Sequence, residues 1–439
     1  MRNYILTSIL ISVVLLAVCA CKSGNSYSDN IPTDNTVISR ITFVANDKNP
    51  GIEKASFNIE LIGDTGAVVF NKDSLPVGTK IDSVVTRFTF QYAIAGMVLL
   101  SPKDTSVLRN NDTIDFTHQP VHIRVISADY TKQRNYRIRV LVHKINPELY
   151  QWNLLSDNAF SESGSCQCAV MRNDKFYWLV SSGFNIRLYT SADGVEWASS
   201  DVVGLMPQCD VRGLYATDEG FYIASGGTLF KSEDAVNWTM LNDKDYLYIL
   251  GDFTGGLWCV VRDEQGKLYV DDLRGSLGRY PLPDNFPVTG AAKTAYLSPS
   301  MRMQFMAIGG VDVNGNQLNS RWLTQDMQHW VNLTEGQPGY ESMEGASLIS
   351  YGGRLLLIGG LNSDGMLRDR FFLQSFDDGL FWEQLSADDL SLPEQITERA
   401  YCNVISSADG YDLFFMGGMD LSKVYADVWK TRKNSIDWE

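Results

Sequence analysis

The stretch Tyr189 to Trp197 reads YTSADGVEW, and four related phrases follow it: KSEDAVNW (231–238), LTQDMQHW (323–330), QSFDDGLFW (374–382) and TRKNSIDW (431–438). In the first, Asp193 is placed to accept backbone N–H bonds in an Asx-turn, Gly194 to take a positive φ, and Ser191 to add a hydroxyl. Trp197 then carries its ring onto the next strand, where burial between neighbouring sheets is expected. The same holds for Trp238, Trp330, Trp382 and Trp438. Asp193 and Asp234 therefore read as structural residues that shape turns, and no catalytic role is assigned to them.

These tryptophans recur about every fifty residues, with one double interval. Inside that interval LYVDDLRGSLGRYPL (268–282) stands where the phrase would be. Each unit also carries an apolar run, in most of them ending in small residues: FYWLVSSG (176–183), FYIASGG (221–227), FMAIGG (305–310), LLLIGG (355–360) and LFFMGG (413–418), with LWCVVRDEQG (257–266) divergent. A strand-like piece lies about ten residues before each: CQCAVM, VRGLYAT, YLYILG, AKTAYLS, GASLIS and YCNVIS. One unit is thus four short strands, a β-propeller blade, and six such blades fit within 150–439.

The apolar run with Gly-Gly, followed by a tryptophan one strand later, resembles the kelch repeat of galactose-oxidase-type propellers. The Ser-x-Asp phrase resembles the Asp-box of sialidase-like propellers. The kelch likeness is clear in the fourth to sixth units and weak in the first three. The whole layout is similar to Bacteroidetes lipoproteins that pair an Ig-like or cadherin-like module with a propeller. In such propellers ligands bind on the face opposite the Asp-box turns.

The chain opens MRNYILTSILISVVLLAVCAC. A short positive start and an apolar run too short for a ~20-residue membrane span fit a secretory signal. Its end, Val18-Cys19-Ala20-Cys21, resembles a lipobox, which implies a signal peptide over 1–20 and lipidation at Cys21. Acyl chains there would tether the protein to a membrane of a Gram-negative cell envelope. Residues 21–36 read as a flexible polar tether. No acidic cluster follows Cys21, which favours the periplasmic side over the surface.

All ten tryptophans lie at or beyond Trp152, which marks a boundary. Before it, residues 37–146 hold short alternating runs such as VHIRVISA (121–128) separated by turn clusters, the pattern of a β-sandwich. Its close resembles the last strands of Ig-like modules, and a spacer role follows. The fold expected is therefore all-β: an Ig-like sandwich, then a six-bladed kelch-like propeller over 150–439.

A net charge of −15 repels phosphate backbones and argues against a nucleic-acid partner. Five cysteines remain after Cys19 and Cys21, and a ring-closing disulfide from Cys402 to Cys166 or Cys168 is expected. The propeller has one histidine, His329, so copper chemistry of the galactose-oxidase type is excluded. DVNGN (312–316) alternates oxygen ligands like a calcium loop but lacks the rest of one, and no metal or cofactor is expected. Adjacent acids at Asp271–Asp272, Asp377–Asp378 and Asp388–Asp389 point to opposite faces and do not make a glycosidase pair.

The rim loops opposite the Asp-box turns carry the candidate ligand contacts Arg212, Tyr340, Glu344, Arg370 and Arg399. The expected role is binding of a glycan or an envelope protein without catalysis. Two alternatives are a hydrolase or lyase acting on carbohydrate, and an assembly hub. A binder predicts rim aromatics without paired acids. An enzyme predicts close carboxylates, or an Arg-Tyr-Glu cluster, in one pocket.

Overall fold

A computed structural model describes residues 33–101, 105–161, 164, 166–334, 341–369 and 371–434. Cys21, Tyr340, Arg370 and Trp438, together with the whole signal segment, lie outside the described residues. The chain divides into two compact units, with the boundary between Ile145 and Asn146.

In the first unit a three-stranded sheet (Ile38–Phe43, Val84–Phe90, Thr113–Ile114) faces a six-stranded one. The larger runs in the order Phe57–Ile62, Gly66–Asn71, Gln133–Arg139, Val121–Ser127, Ile94–Leu100, Thr105–Leu108. Alternation along Val121–Ser127 sends Val121, Ile123 and Val125 into one core with Phe88, Phe116 and Tyr136. The Tyr136 hydroxyl is not wasted there: it donates to Thr36 O at 2.8 Å and accepts from Ile38 N at 2.9 Å.

The second unit is a propeller whose sheets meet face to face around a central channel. Why the apolar runs are continuous rather than alternating is now clear. Each is the second strand of its four-strand unit, and each is buried on both sides. In Lys175–Ser181, Phe176, Trp178 and Val180 face the last sheet with Phe414 and Met416, while Leu179 faces Phe221 and Ile223 of the next. In Gly256–Arg262, Trp258 and Val260 face one neighbour and Leu257, Cys259 and Val261 the other. Arg354–Ile358 splits the same way, Leu355 and Leu357 one way and Leu356 and Ile358 the other. Among the described residues six apolar clusters are shared this way between successive four-stranded units, and the cluster joining last to first closes the ring.

The ring is also closed by backbone hydrogen bonds: Tyr150–Ser156 pairs antiparallel with Val428–Lys433, so the start of the domain completes the sheet built by its end. Asn146 and Leu149 join that sheet as well, accepting from Asn434 Nδ2 at 2.7 Å and Asn434 N at 3.0 Å.

Six separate sheets were expected, and here the structure differs. The described propeller has four four-stranded sheets and one of seven strands. The 15-residue strand Thr239–Phe253 runs on from the outer edge of one unit into the inner edge of the next, pairing first with Gly227–Ser232 and then with Gly256–Arg262. TMLNDKDYLYILGDF stays extended through Asn242, Asp243 and Gly251, with register shifts in both pairings, so the two units share one hydrogen-bonded sheet.

The cysteines correct a second expectation. Cys166, Cys168 and Cys402 are free thiols, as are Cys209 and Cys259. Cys168 packs into the cluster between the first two units and points to Leu214 O at 3.8 Å, whereas Cys402 packs in the cluster between the last two and points to Met416 O at 3.8 Å. The two sulfurs are buried in different cores.

Candidate functional site at the channel mouth

The turn phrases are built alike. Asp193 Oδ1 accepts from Val195 N at 2.8 Å and Glu196 N at 3.1 Å, Ser191 Oγ accepts from Gly194 N at 2.8 Å, and the Trp197 indole donates to Gly194 O at 3.1 Å. Asp234, Asp326 and Asp377 repeat the aspartate's role, and Trp238, Trp330 and Trp382 donate to the carbonyl of the residue at positive φ. Trp238 is buried, while Trp197, Trp330 and Trp382 are half-buried, a looser fit than expected for three of them. His329 closes one such turn by pairing with Asp326 at 2.8 Å. Even the divergent unit has a turn aspartate: Asp272 accepts from Leu257, Arg274, Ser276 and Leu277 N–H groups. These carboxylates are used up by backbone donors.

Gly-Gly has a different reason. Gly359 and Gly360 have φ of 70° and 100°, and a Cβ on Gly359 would lie 2.1 Å from Arg399 O of the next unit. Gly310 and Gly360 N–H groups donate across to Met343 O and Arg399 O at 2.7 and 3.0 Å. The loop after the second strand is thereby tied, in these two units, to the loop that precedes the innermost strand of the next.

Those loops line a cavity of about 250 Å³ at the channel mouth. Arg212 sits on the short 3-10 turn Val211–Gly213, whose N-cap is Asp210. Its guanidinium forks onto the Asp210 carboxylate, with Nε to Oδ1 at 2.9 Å and Nη2 to Oδ2 at 2.7 Å. Burial opposes charge on both, yet the pairing wins, so the carboxyl is held low and the guanidinium high. The same guanidinium lies 4.5 Å from the centroid of the Tyr401 ring. Tyr401 OH donates to Glu344 Oε1, and Gln317 Nε2 donates to Glu344 Oε2 at 3.0 Å. Gln317 Oε1 is buried without a hydrogen-bond partner. Burial raises the Tyr401 phenol well above its ordinary range; Arg212 opposes this and Glu344 adds to it, so Tyr401 is a hydrogen-bond donor at neutral pH and not a nucleophile.

One step inside, Lys293 on the innermost strand Ala292–Leu297 also lines the cavity. Its Nζ donates to Ile249 O and lies 4.0 Å from the Tyr248 ring centroid.

The structure thus brings Arg212 and Glu344 together through Tyr401. Arg399 goes elsewhere, which corrects its reading as a ligand contact. It is 3% exposed, forked onto Asp427 at 2.6 and 2.9 Å, bonded to Gly417 O and Gln395 O, and stacked 3.7 Å from the Tyr425 ring centroid. It fastens two loops of one unit and is buried away from the cavity wall. The loop Asp312–Asn316 is likewise self-satisfied, with Asp312 accepting from Asn314 N and Asn316 N at 2.8 and 2.9 Å.

Asp210, Gln317, Tyr401 and Lys293 were not singled out by sequence reasoning. A signal existed for Lys293: it is the only lysine in the six innermost-strand pieces. Tyr401 had none, because its partners Arg212 and Glu344 are remote in the chain.

No curated protein matches the chain. Among solved structures, one described as "Structure of YjhT" aligns with 61% of this chain and 94% of its own, at 13% identity and a TM-score of 0.43. The profile of the DUF6242 beta propeller domain matches residues 146–439, and that of the Domain of unknown function (DUF6242) N-terminal domain matches residues 28–140. The chain therefore belongs to the DUF6242 family, with the family's N-terminal domain followed by its β-propeller.

Proposed function

We propose that this is a lipid-anchored envelope protein whose six-bladed, kelch-like propeller binds a hydroxylated ligand, a glycan, at the channel mouth without catalysis. The six-blade count takes the long strand Thr239–Phe253 as serving two blades. Cys21 is the proposed anchor site and the periplasmic side the proposed location. The observation that carries the binding reading is the set of polar groups in the cavity wall, Asp210, Arg212 and Tyr401, donors and acceptors of the kind sugar hydroxyls require, with Tyr401 bonded to Glu344 and Glu344 to Gln317. Arg212 supports it by fixing the Tyr401 ring.

A second reading, a carbohydrate hydrolase or lyase, is favoured by the Arg-Tyr-Glu cluster itself and by Asp210 beside it. Against it, Arg212 is neutralised by Asp210 and Tyr401 stays protonated. A glycan array probed with the full chain and with Tyr401→Phe separates the readings. The binding reading expects hits that weaken roughly tenfold in the variant, the cost of about one charged hydrogen bond. Product release from the hit glycans on prolonged incubation would replace it with the enzyme reading.

A further inference from the structure

Among the described residues the channel wall carries two cations, Arg212 and Lys293, of which Arg212 is answered by a carboxylate. Lys293 makes no ion pair among the described residues. The groups around its ammonium are the Ile249 carbonyl, the rings of Tyr248 and Tyr215 at 4.0 and 6.0 Å, and the thiols of Cys168 and Cys259. Both thiols are kept neutral by burial, pushed up to about 12. The Tyr248 phenol is raised by burial and is engaged with Ala291 O at 2.6 Å. Burial pushes the Lys293 ammonium down to about 8, so it is still mostly charged at neutral pH.

A charge held away from water without a counter-ion is costly, and Lys293 faces a cavity rather than solid core. In a chain of net charge −15, anions approach only where a local cation is unspent. The cavity, about 250 Å³, falls below the ~300–1,000 Å³ of drug-sized sites, which suits one sugar ring over a long chain. We propose that Lys293 is the anchor for the carboxylate of a small anionic ligand, a sugar acid, whose hydroxyls meet Tyr401 and Asp210 in the same cavity wall. This rests on the proposed binding site and adds the substrate class to it.

The test uses the full chain with 13C at lysine Cε, titrated by NMR through the alkaline range, with Lys293→Met or Lys293→Arg assigning the signal. D-glucuronate and acetate are the anionic probes and D-glucose the neutral one. Glucuronate should raise the Lys293 midpoint by about one pH unit, and glucose should leave it in place. Glucuronate should also bind about tenfold more tightly than glucose, and Lys293→Met should bring the two within about twofold. If Lys293→Met fails to fold, the midpoint in the unaltered protein decides alone. A midpoint that neither anion moves overturns the inference. Glucose binding with an unmoved midpoint leaves the channel-mouth site standing and removes only the Lys293 anchor. A blank glycan array together with an unmoved midpoint removes both.

Discussion

Asp234 shows how much one carboxylate does in this protein. It takes the N–H groups of Val236 and Asn237, the amide of Asn237 and the hydroxyl of Ser232. Slight burial opposes its charge, but these donors prevail and bring it down to about 2. The folded value lies below the unfolded one of about 4, so its stabilisation is full above pH ~4 and is lost as pH falls through about 2. Asp234→Asn should therefore lower the melting temperature near neutrality, where the carboxylate's stabilisation is full, and flatten the acid limb, so that variant and parent converge as pH falls through about 2. Lys293 has the opposite dependence. Its folded value, about 8, lies below the unfolded ~10.4, so the folded state binds fewer protons between them and stability rises with pH there. That rise should vanish in Lys293→Met, measured by thermal melts. Ring burial grades the tryptophans: Trp238→Ala should cost ~3–5 kcal/mol in denaturant unfolding, and Trp197→Ala clearly less, because Trp238 is 6% exposed and Trp197 is half-buried. The role of the turn phrase was legible because a single residue type, repeated at one spacing, satisfies its own backbone locally.

At the level of elements, the glycine pairs and the long strand Thr239–Phe253 set how sheets join. Gly359 and Gly365 have the same φ of 70°, but only Gly359 faces a neighbour, Arg399 O. Gly365→Ala should cost about 1–2 kcal/mol, the left-handed penalty alone. Gly359→Ala should cost more than ~3 kcal/mol, since backbone must move as well. Equal losses in chemical denaturation would mean that the close approach between units contributes nothing. The Gly-Gly marker was visible in the sequence; its cause was not, since the contacting carbonyl lies some forty residues away. The shared ladder through Thr239–Phe253 was missed for a related reason: strand continuity there depends on two partners, Gly227–Ser232 and Gly256–Arg262, that read as separate units.

The whole propeller is held by closure. Trp152, on the strand that completes the last sheet, donates to Leu390 O at 2.8 Å and packs 4.9 Å from the Phe415 ring. Trp152→Ala should raise hydrogen exchange in Val428–Lys433 and also in Lys175–Ser181, because the cluster between last and first sheets couples them. Exchange confined to the last sheet would contradict that coupling. The free thiols give a second global measurement. Cys168, Cys209, Cys259 and Cys402 are buried, with thiols pushed up to about 11 for Cys209 and about 12 for the others, so native alkylation should reach Cys166 first and the rest only on unfolding. Mass spectrometry should give the same intact mass with and without reductant.

By itself the sequence determined the all-β class, the repeated four-strand unit, the turn aspartates and their tryptophans, because each depends on residues close in the chain. Arg212 and Glu344 could be placed on the rim by counting strands. That they meet at Tyr401, that Asp210 occupies Arg212, that Arg399 turns to Asp427, and that Lys293 stands in the channel wall without a carboxylate partner among the described residues were decided only by the tertiary structure. The Arg212–Tyr401–Glu344 contacts join loops from different units, and the ring brings such loops together only after every sheet has found its neighbour; Asp210–Arg212 and Arg399–Asp427 lie within one unit but depend on how its loops fold back.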